Sequence, residues 1–569
     1  MEPLPNNIDE GENSTWHIPN HQLKWMNQLM KFKIDYLIIG AGPAGLQLSY
    51  FLHQNGRNYL VLEANETAGS FWQKFPRHRQ MISINKVYTG YQERALQLRW
   101  DWNSLLCDDD SLSVSRYTQR YFPDAEDYHQ YLGDFAKRFQ LNIQYNTLVA
   151  KISKSANSFT VVDAQNRVYD CRRLIIAVGV SKPYIPPIPG IEQTENYFDF
   201  SFDPKDYANQ RVLIIGKGTS GFETANHLIE TARLIHLCSP ESIKLAWQTH
   251  FVGHLRAINT EFLDTYLLKG QNAVLDAEIE KIDFEEGEYR VHIRFTHAED
   301  QRAILAYDRV LCCTGFQFDQ TTFAENCQPE LKMNGRLPAM TSQWEATNIP
   351  EMYFAGTLMQ VRDYQKTHSN VIHGFRSNIK ALSAFLEQKY HGKALPHYSL
   401  SLNSVEIADQ IIESVSTSAG IFLQQGFLGD LLIIDQAQSN ARYYQGLPVD
   451  YIHDSDFGQQ PQYYIITMEF GHAKGDPFRI DREKDPDKAN LDFYLHPIVR
   501  RFQGNTLLYE HHISEHLEND WRIGKYPGER PLIRALEFTG NADNSLFYQG
   551  YRQKLLDFFD KELCEVSTD

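Results

Sequence analysis

The sequence is short of cysteine, of cationic side chains and of long apolar runs, and each shortage excludes something. The seven cysteines among 569 residues (107, 171, 238, 312, 313, 327 and 564) include no C-x-x-C pair. A dithiol redox centre, a zinc ribbon or a secreted disulfide framework is therefore not expected. Lys and Arg number 55 against 72 Asp and Glu, a net charge of −17. Such a surface repels phosphate backbones and anionic headgroups, so neither nucleic acid nor a membrane surface is expected as a partner. A local basic pocket for a nucleotide stays open. No apolar run approaches the roughly 18 residues that a membrane span needs. The first twenty residues are acidic and polar, unlike a signal peptide, and the terminal CEVSTD is no lipidation or retention tag. A cytoplasmic protein is the expectation.

What is present is a chain able to bury large cores, with 42% hydrophobic and 13% aromatic residues. Two segments share one grammar. Asp35-Tyr-Leu-Ile-Ile-Gly40 precedes Pro43–Leu52, and Arg211-Val-Leu-Ile-Ile-Gly216 precedes Ser220–Ile229. Each reads as a buried parallel strand, a glycine turn and a helix. Their spacing of 176 residues is too long for a solenoid repeat and suits two nucleotide-binding domains. The four-proline stretch Ser181–Gly190 fits a crossing between them. The expected fold is α/β with two Rossmann-like dinucleotide-binding domains and a C-terminal α+β region of unassigned fold. Expected boundaries are 1–180 with 320–400 for a discontinuous FAD domain, 181–319 for an NAD(P)H domain, and 400–569 for the remainder.

Gly40-Ala-Gly42-Pro43-Ala44-Gly45 fits G-x-G-x-x-G. The first glycine permits a tight turn, the second lets a pyrophosphate approach the backbone, and the third lets the helix pack on its strand. The phosphates then meet the free N–H groups of the helix N-terminus. Glu63 ends the following strand, 18 residues past Gly45, where a carboxylate accepts ribose hydroxyls and repels a 2′-phosphate. Ala64 follows it in the same turn. This first site is expected to take FAD. Gly216-Lys-Gly218-Thr219-Ser220-Gly221 is the second fingerprint, and its following strand ends in Ser239 rather than an acid. Ser239 and Lys244 favour NADPH there, with NADH the alternative through Glu241. Two strands ending in glycine, at Gly179 and at Thr314-Gly315, mark where the chain leaves each domain, and Gly356 ends a third, which resemblance to two-dinucleotide flavoproteins would bring to the flavin. Cys312 and Cys313 are adjacent on a strand, so they face opposite ways and read as packing.

Gly40–Gly45, Gly69-Ser70-Phe71-Trp72, Ile84-Asn85-Lys86, Tyr121-Phe-Pro123, Tyr131–Ala136 and Gly216–Glu223 resemble the flavin-containing, NADPH-dependent monooxygenases over roughly residues 33–380. That resemblance implies FAD and NADPH as cofactors, with Ser70, Phe71 and Trp72 beside the flavin. It implies O₂ and a small molecule as substrates, oxygenated at nitrogen or sulfur by a flavin C4a-hydroperoxide. Asn85 matches the asparagine that would donate a hydrogen bond near C4a. A second resemblance, almost end to end, is to FAD-dependent oxidoreductases. It rests on segments such as Pro76–Arg79, Asp101–Leu106, Thr249–Asn259 and Ile372–Arg376. The alternatives are a flavin reductase or electron carrier serving a protein partner, and a single-component flavin halogenase. A homodimer is left open.

Arg77, His78 and Arg79 follow the Trp72 loop and are candidates for an anionic substrate or a cofactor phosphate, with a solvated basic loop the alternative. Trp247, His250, His254 and Arg256 are candidates for the nicotinamide side. His512-Ile-Ser-Glu-His516 has the H-x-x-E-H spacing of a zinc peptidase, but a packed or solvated helix is the stronger reading, and no metal is expected.

Overall fold

The computed structural model describes residues 32–435, 439–471, 478–480, 483, 485–522 and 544–566. The leading segment and the last three residues, read above for targeting signals, lie outside the described residues. Among the described residues no helix is long and apolar enough to cross a membrane.

The first apolar run forms β1 (Phe32–Ile39), which hands the chain through Gly40 to α1 (Pro43–Gln54) and then to β2 (Tyr59–Leu62). A helix α2 (Ala125–Arg138) leads to β3 (Ile143–Gln144), and the short strands β4 (Val149–Lys154) and β5 (Phe159–Asp163) precede β6 (Val168–Ile176). β1 lies between β2 and β6, all parallel, so Leu37 and Ile38 are buried on both sheet faces. This is why the strand reads as an unbroken apolar run rather than an alternating one. β6 changes partner along its length. One edge pairs with β1 from Tyr169 to Ile176, while on the other edge Val168–Cys171 pairs antiparallel with β5 and Leu174–Ile176 pairs with a later strand.

The second half repeats the scheme. After β7 (Glu195–Asn196) come β8 (Arg211–Ile215), α3 (Thr219–Leu228) and β9 (Leu234–Ser239). The long β10 (Ala273–Glu285) pairs parallel with β9 at its start and antiparallel with β11 (Glu288–Phe295) beyond Ala277. β12 (Arg302–Tyr307) and β13 (Arg309–Cys312) follow, and the sheet order is β12-β11-β10-β9-β8-β13-β7. Cys312 and Cys313 are both buried but belong to the separate cores on the two faces of this sheet, the opposed geometry expected of neighbours on a strand. The chain then returns to the first sheet. β14 (Met352–Phe354) pairs parallel with Leu174–Ile176, and α4 (Ile372–His391) packs against α1.

The remaining residues form a six-stranded antiparallel sheet. Its strands are β15 (Tyr398–Ser401), β16 (Leu428–Asp435), β17 (Asn440–Pro448), β18 (Tyr463–Phe470), β19 (Leu495–Gln503) and β20 (Thr506–His512), in the order β15-β17-β16-β18-β19-β20. Helix α5 (Ser404–Thr417) packs against the closing helix α6 (Asn544–Val566), whose Tyr551, Leu555 and Phe559 form a buried stripe at intervals of four. The helix expected at 512–516 is not there. His512 ends β20, its Nδ1 within 2.9 Å of His496 Nε2, and the chain beyond it is irregular. Strand pairing to β19 decides this, because Ile498–His512 is a ladder position.

One buried arginine fastens this region to the first half, and a second braces α4 against the loop that precedes α2. Arg99 donates to the carbonyls of Asn519 and Val415 at 2.7 and 2.6 Å, and Arg376 donates to those of Asp101, Ser104 and Leu98. Burial pulls Arg99 down to about 9 and Arg376 to about 10, and the carbonyl dipoles replace the water both have lost.

Candidate flavin and nicotinamide site

Both glycine fingerprints fold into the same cradle. A Cβ on Gly45 would lie 1.9 Å from the Gly40 carbonyl oxygen, and one on Gly221 would lie 2.2 Å from that of Gly216. The third glycine of each motif is thus compelled by helix–turn contact. Gly40 and Gly216 have φ of +100° and +115°, and a Cβ on either would meet the carbonyl of the strand beyond it, at Ala177 or Cys313. The middle glycines differ, since Gly42 and Gly218 have nothing within 4 Å of a Cβ. That open position leaves room for a pyrophosphate to approach. Each middle glycine also caps its helix without any side-chain bond, leaving first-turn N–H groups for an anion.

Glu63 is buried beneath the first cradle. Its Oε2 accepts from the Ala41 N–H at 2.8 Å, and its Oε1 accepts from the Asn65 N–H and the Ser70 hydroxyl at 3.1 and 3.0 Å. Ser70 therefore acts through Glu63. Ala64 is exposed beside it. Phe71 is exposed and stacks on Phe75, whereas Trp72 packs edge-on against Tyr128 at 4.8 Å. The Trp72 Nε1, the Tyr128 hydroxyl and Asn85 Oδ1 are buried without hydrogen-bond partners among the described residues. Orphaned polar atoms around an open glycine cradle fit a dinucleotide that brings its own donors and acceptors.

Asn85 departs from its expected role. It is buried, and its Nδ2 donates to the Thr118 and Arg120 carbonyls at 3.0 and 3.2 Å. Both amide hydrogens are spent on the loop, so the atom left over is an acceptor.

The second cradle opens on a cleft of about 830 Å³ whose lining also includes the segment just past Gly356. Gly218, Thr219, Ser220, Ser239 and Lys244 line one wall, with Thr314 and Gly315 at its base. Thr357, Gln360, Tyr364 and Asn370 line the other. That second wall sits directly behind the first cradle, because a Cβ on Gly356 would lie 2.6 Å from the Ala44 Cβ. Thr314 is held by donating to the Tyr184 carbonyl at 2.5 Å. At the adenosine end Lys244 is paired with Glu241 at 2.8 Å, and Ser239 donates to the Glu241 carbonyl at 3.4 Å. Lys217, inside the fingerprint, pairs with Asp276.

The expected substrate residues are engaged elsewhere. Arg77 donates to the Tyr197 and Phe200 carbonyls and lies 3.9 Å over the Phe202 ring. His78 packs on Phe202 and His227, and burial drives it down to about 3. Arg79 donates to Glu126 and to the Trp72 carbonyl at 2.7 and 2.6 Å. These three fasten the Trp72 loop. Arg256 donates to the Ile82 carbonyl and lies 5.3 Å over Trp102, while His250 stacks on Phe470 of the C-terminal sheet at 3.7 Å. Trp247 sits on a one-turn helix and is not among the lining residues of the cleft. His254 is. The far wall (Thr357, Gln360, Tyr364 and Asn370) was missed in the sequence, having no spacing motif of its own.

Two cradles of one construction, with the segment past Gly356 packed on the first and lining the cleft of the second, define a flavin-dependent oxidoreductase of the two-nucleotide type. The chain belongs to the pyridine nucleotide-disulphide oxidoreductase family, whose pattern matches residues 37–356. It is 32% identical to FAD-dependent oxidoreductase domain-containing protein 2 of Mus musculus over 535 residues, 87% of this chain and 79% of that protein. It is 28% identical to senecionine N-oxygenase of Tyria jacobaeae over 211 residues, 35% of this chain and 45% of that one. A solved flavin-containing monooxygenase from Stenotrophomonas maltophilia aligns with 63% of this chain and 99% of its own, at 19% identity and a TM-score of 0.47.

Proposed function

We propose that the protein is a single-component FAD-dependent monooxygenase that uses NADPH and O₂ to oxygenate a small molecule at nitrogen or sulfur. In this reading residues up to 180 and 320–400 hold FAD, and residues 181–319 hold the nicotinamide nucleotide. The observation that carries it is the cleft of the second cradle, which is also lined by Thr357, Gln360, Tyr364 and Asn370, just past the Gly356 that packs on Ala44 of the first cradle. Reductant and flavin would meet there directly, without a shuttling dithiol. The one thiol on the cleft, Cys313, is buried and pushed up by that burial, so it is a poor nucleophile.

Bound flavin supplies the chemistry, taking a hydride from the nicotinamide and passing electrons to O₂. The chain's part is to bind and to exclude water. Gly42 and Gly218 admit the two pyrophosphates. Glu63 holds the first turn and faces a ribose, and Trp72, Tyr128 and Asn85 wall the flavin pocket. Ser239 and Lys244 meet the 2′-phosphate once Lys244 releases Glu241. A reductase serving a protein partner is the second reading, favoured by the His250 contact that ties the nicotinamide wall to the C-terminal sheet.

The test is a balance sheet. Purified protein is supplied with NADPH and panels of amines and thioethers, and NADPH loss, peroxide and oxygenated product are measured together. Product matching NADPH loss supports the oxygenase. NADPH loss appearing wholly as peroxide with every substrate sinks it.

A further inference from the structure

Three histidines have no part in the reading above. His373, in the first turn of α4, is almost wholly enclosed, and neither ring nitrogen has a hydrogen-bond partner among the described residues. Trp102 lies against it, with ring centroids 4.3 Å apart, and His368 lies 5.2 Å away. His368 is buried as well. Its Nδ1 donates to the Leu423 carbonyl at 2.7 Å, so Nε2 is the bare acceptor, without a well-formed bond and with the His250 carbonyl beside it. His254 lines the cleft, its Nδ1 held by Thr249 at 2.7 Å and its Nε2 buried and unpaired. Asn370, two residues from His368, also lines the cleft, and its Oδ1 is unpaired.

The array spans the walls of the flavin site. Thr357, just past Gly356, donates to the Asn370 carbonyl at 3.3 Å, which ties the start of α4 to the floor of the first cradle. On the other side the Trp102 N–H donates to the Ile84 carbonyl at 3.0 Å, next to Asn85. A buried polar group left unpaired is costly, so the bare nitrogens of His368 and His373, with that of His254 on the cleft, call for ordered water or a ligand. Burial keeps all three rings below their ordinary value and hence neutral. The charged groups around them are already engaged. Arg256 and Arg376, near His373, donate to backbone carbonyls, and Lys244 and Glu241, near His254, pair with each other. Phe251 and Gln424 face His368 without charge.

We propose that His368 and His373 are a proton relay, entered from the cleft at His254 and Asn370, that delivers the proton which NADPH-driven turnover consumes at the flavin. Oxygenation of a substrate S is S + O₂ + NADPH + H⁺ → SO + NADP⁺ + H₂O, and loss to peroxide is O₂ + NADPH + H⁺ → H₂O₂ + NADP⁺. The hydride carries both electrons in either case, and one proton must come from water. It adds to the bare Nε2 of His368, whose N–H then turns to the His250 carbonyl. It leaves from that same nitrogen to one nitrogen of His373, directly or through one water, and His373 releases a proton from its other nitrogen toward the flavin, so that both rings return to neutral. The relay rests on the NADPH reading but not on oxygenation.

The holoenzyme is mixed with NADPH in weakly buffered, air-saturated H₂O or D₂O containing a pH-indicator dye, and proton uptake is followed alongside NADPH loss. His373→Gln keeps hydrogen-bonding capacity but cannot carry a proton. Uptake should slow about tenfold or more, with a larger solvent isotope effect, while anaerobic flavin bleaching by NADPH stays at the parent rate. His368→Asn should do the same, and it serves alone if the first variant loses FAD. Histidine ¹⁵N spectra with and without FAD give a second readout, in which both rings should shift on loading. Unchanged uptake and isotope effect in the variants overturn the relay. If the parent oxidises no nicotinamide, the proposed reductant fails separately, and rings that ignore FAD then overturn the relay by themselves.

Discussion

His250 lies flat on Phe470, with ring centroids 3.7 Å apart and an angle of 14° between the planes. One ring belongs to the loop beside the second cradle and the other to the C-terminal sheet, so the wall of the second cradle is held by a region with no fingerprint of its own. A stack of this kind contributes about 0.5–1.5 kcal/mol. Phe470→Ala should therefore raise the KM for the nicotinamide nucleotide by severalfold and leave FAD content unchanged. Steady-state kinetics with flavin quantitation checks it, and an unaltered KM would make the contact incidental.

The middle and third glycines of the second fingerprint should separate binding from folding. Gly218→Ala meets nothing in the protein and should raise the nicotinamide KM with no loss of thermal stability. Gly221→Ala drives a methyl group into the Gly216 carbonyl and should lower the melting temperature markedly. Gly42→Ala and Gly45→Ala should repeat the pattern for FAD. Equal melting losses in both members of either pair would contradict the geometry.

Asn85→Ala removes two donors from buried carbonyls and should cost about 1–3 kcal/mol of stability, with weaker FAD retention. Denaturant titration and flavin content measure both. If the variant is as stable as the parent yet diverts NADPH to peroxide, the side chain is a donor to the flavin after all.

Glu223, on α3, is lifted to about 7 by burial, against a weak opposing bond from Asn259 at 3.4 Å. Its folded-state value lies above its unfolded one, near 4.5. Stability from this group is thus complete below about 4.5 and is lost as pH rises through about 7. Glu223→Gln should be more stable than the parent at pH 8, by at most about 3 kcal/mol. The gain should fade as pH drops toward the unfolded value. Melting curves across that range decide it, and a pH-independent difference would refute the assignment.

Lys244 cannot serve a 2′-phosphate while it holds Glu241. Glu241→Gln frees it and should raise the NADPH-to-NADH ratio of kcat/KM by up to about fivefold, the scale of an exposed ion pair. No change in the ratio would remove Lys244 from the nucleotide site.

The fingerprints could be read because everything they require is local. Gly40 and Gly45 touch each other across one turn, so spacing alone specifies them, and the same holds at Gly216 and Gly221. Arg77 and Arg79 could not be read this way. What decides their role is the position of carbonyls at Tyr197, Phe200 and Trp72, two of them more than a hundred residues distant. His254, His368 and His373 meet only because a loop of the second half folds onto the start of α4. The C-terminal strands were obscure for another reason. β16 and β18 are buried on both faces, so neither shows the alternation that marks a strand.

β14 has a consequence for how the chain is made. The ribosome releases β1, β2 and β6 long before Met352–Phe354 exists, so the first sheet emerges with one edge bare and waits while the whole second sheet is synthesised. The second half can close on itself during that interval, and the first cannot. A nascent chain halted near residue 340 should hence hold a finished second sheet beside an unfinished first one, and protease pulses on stalled ribosomes should cut the earlier-made half first.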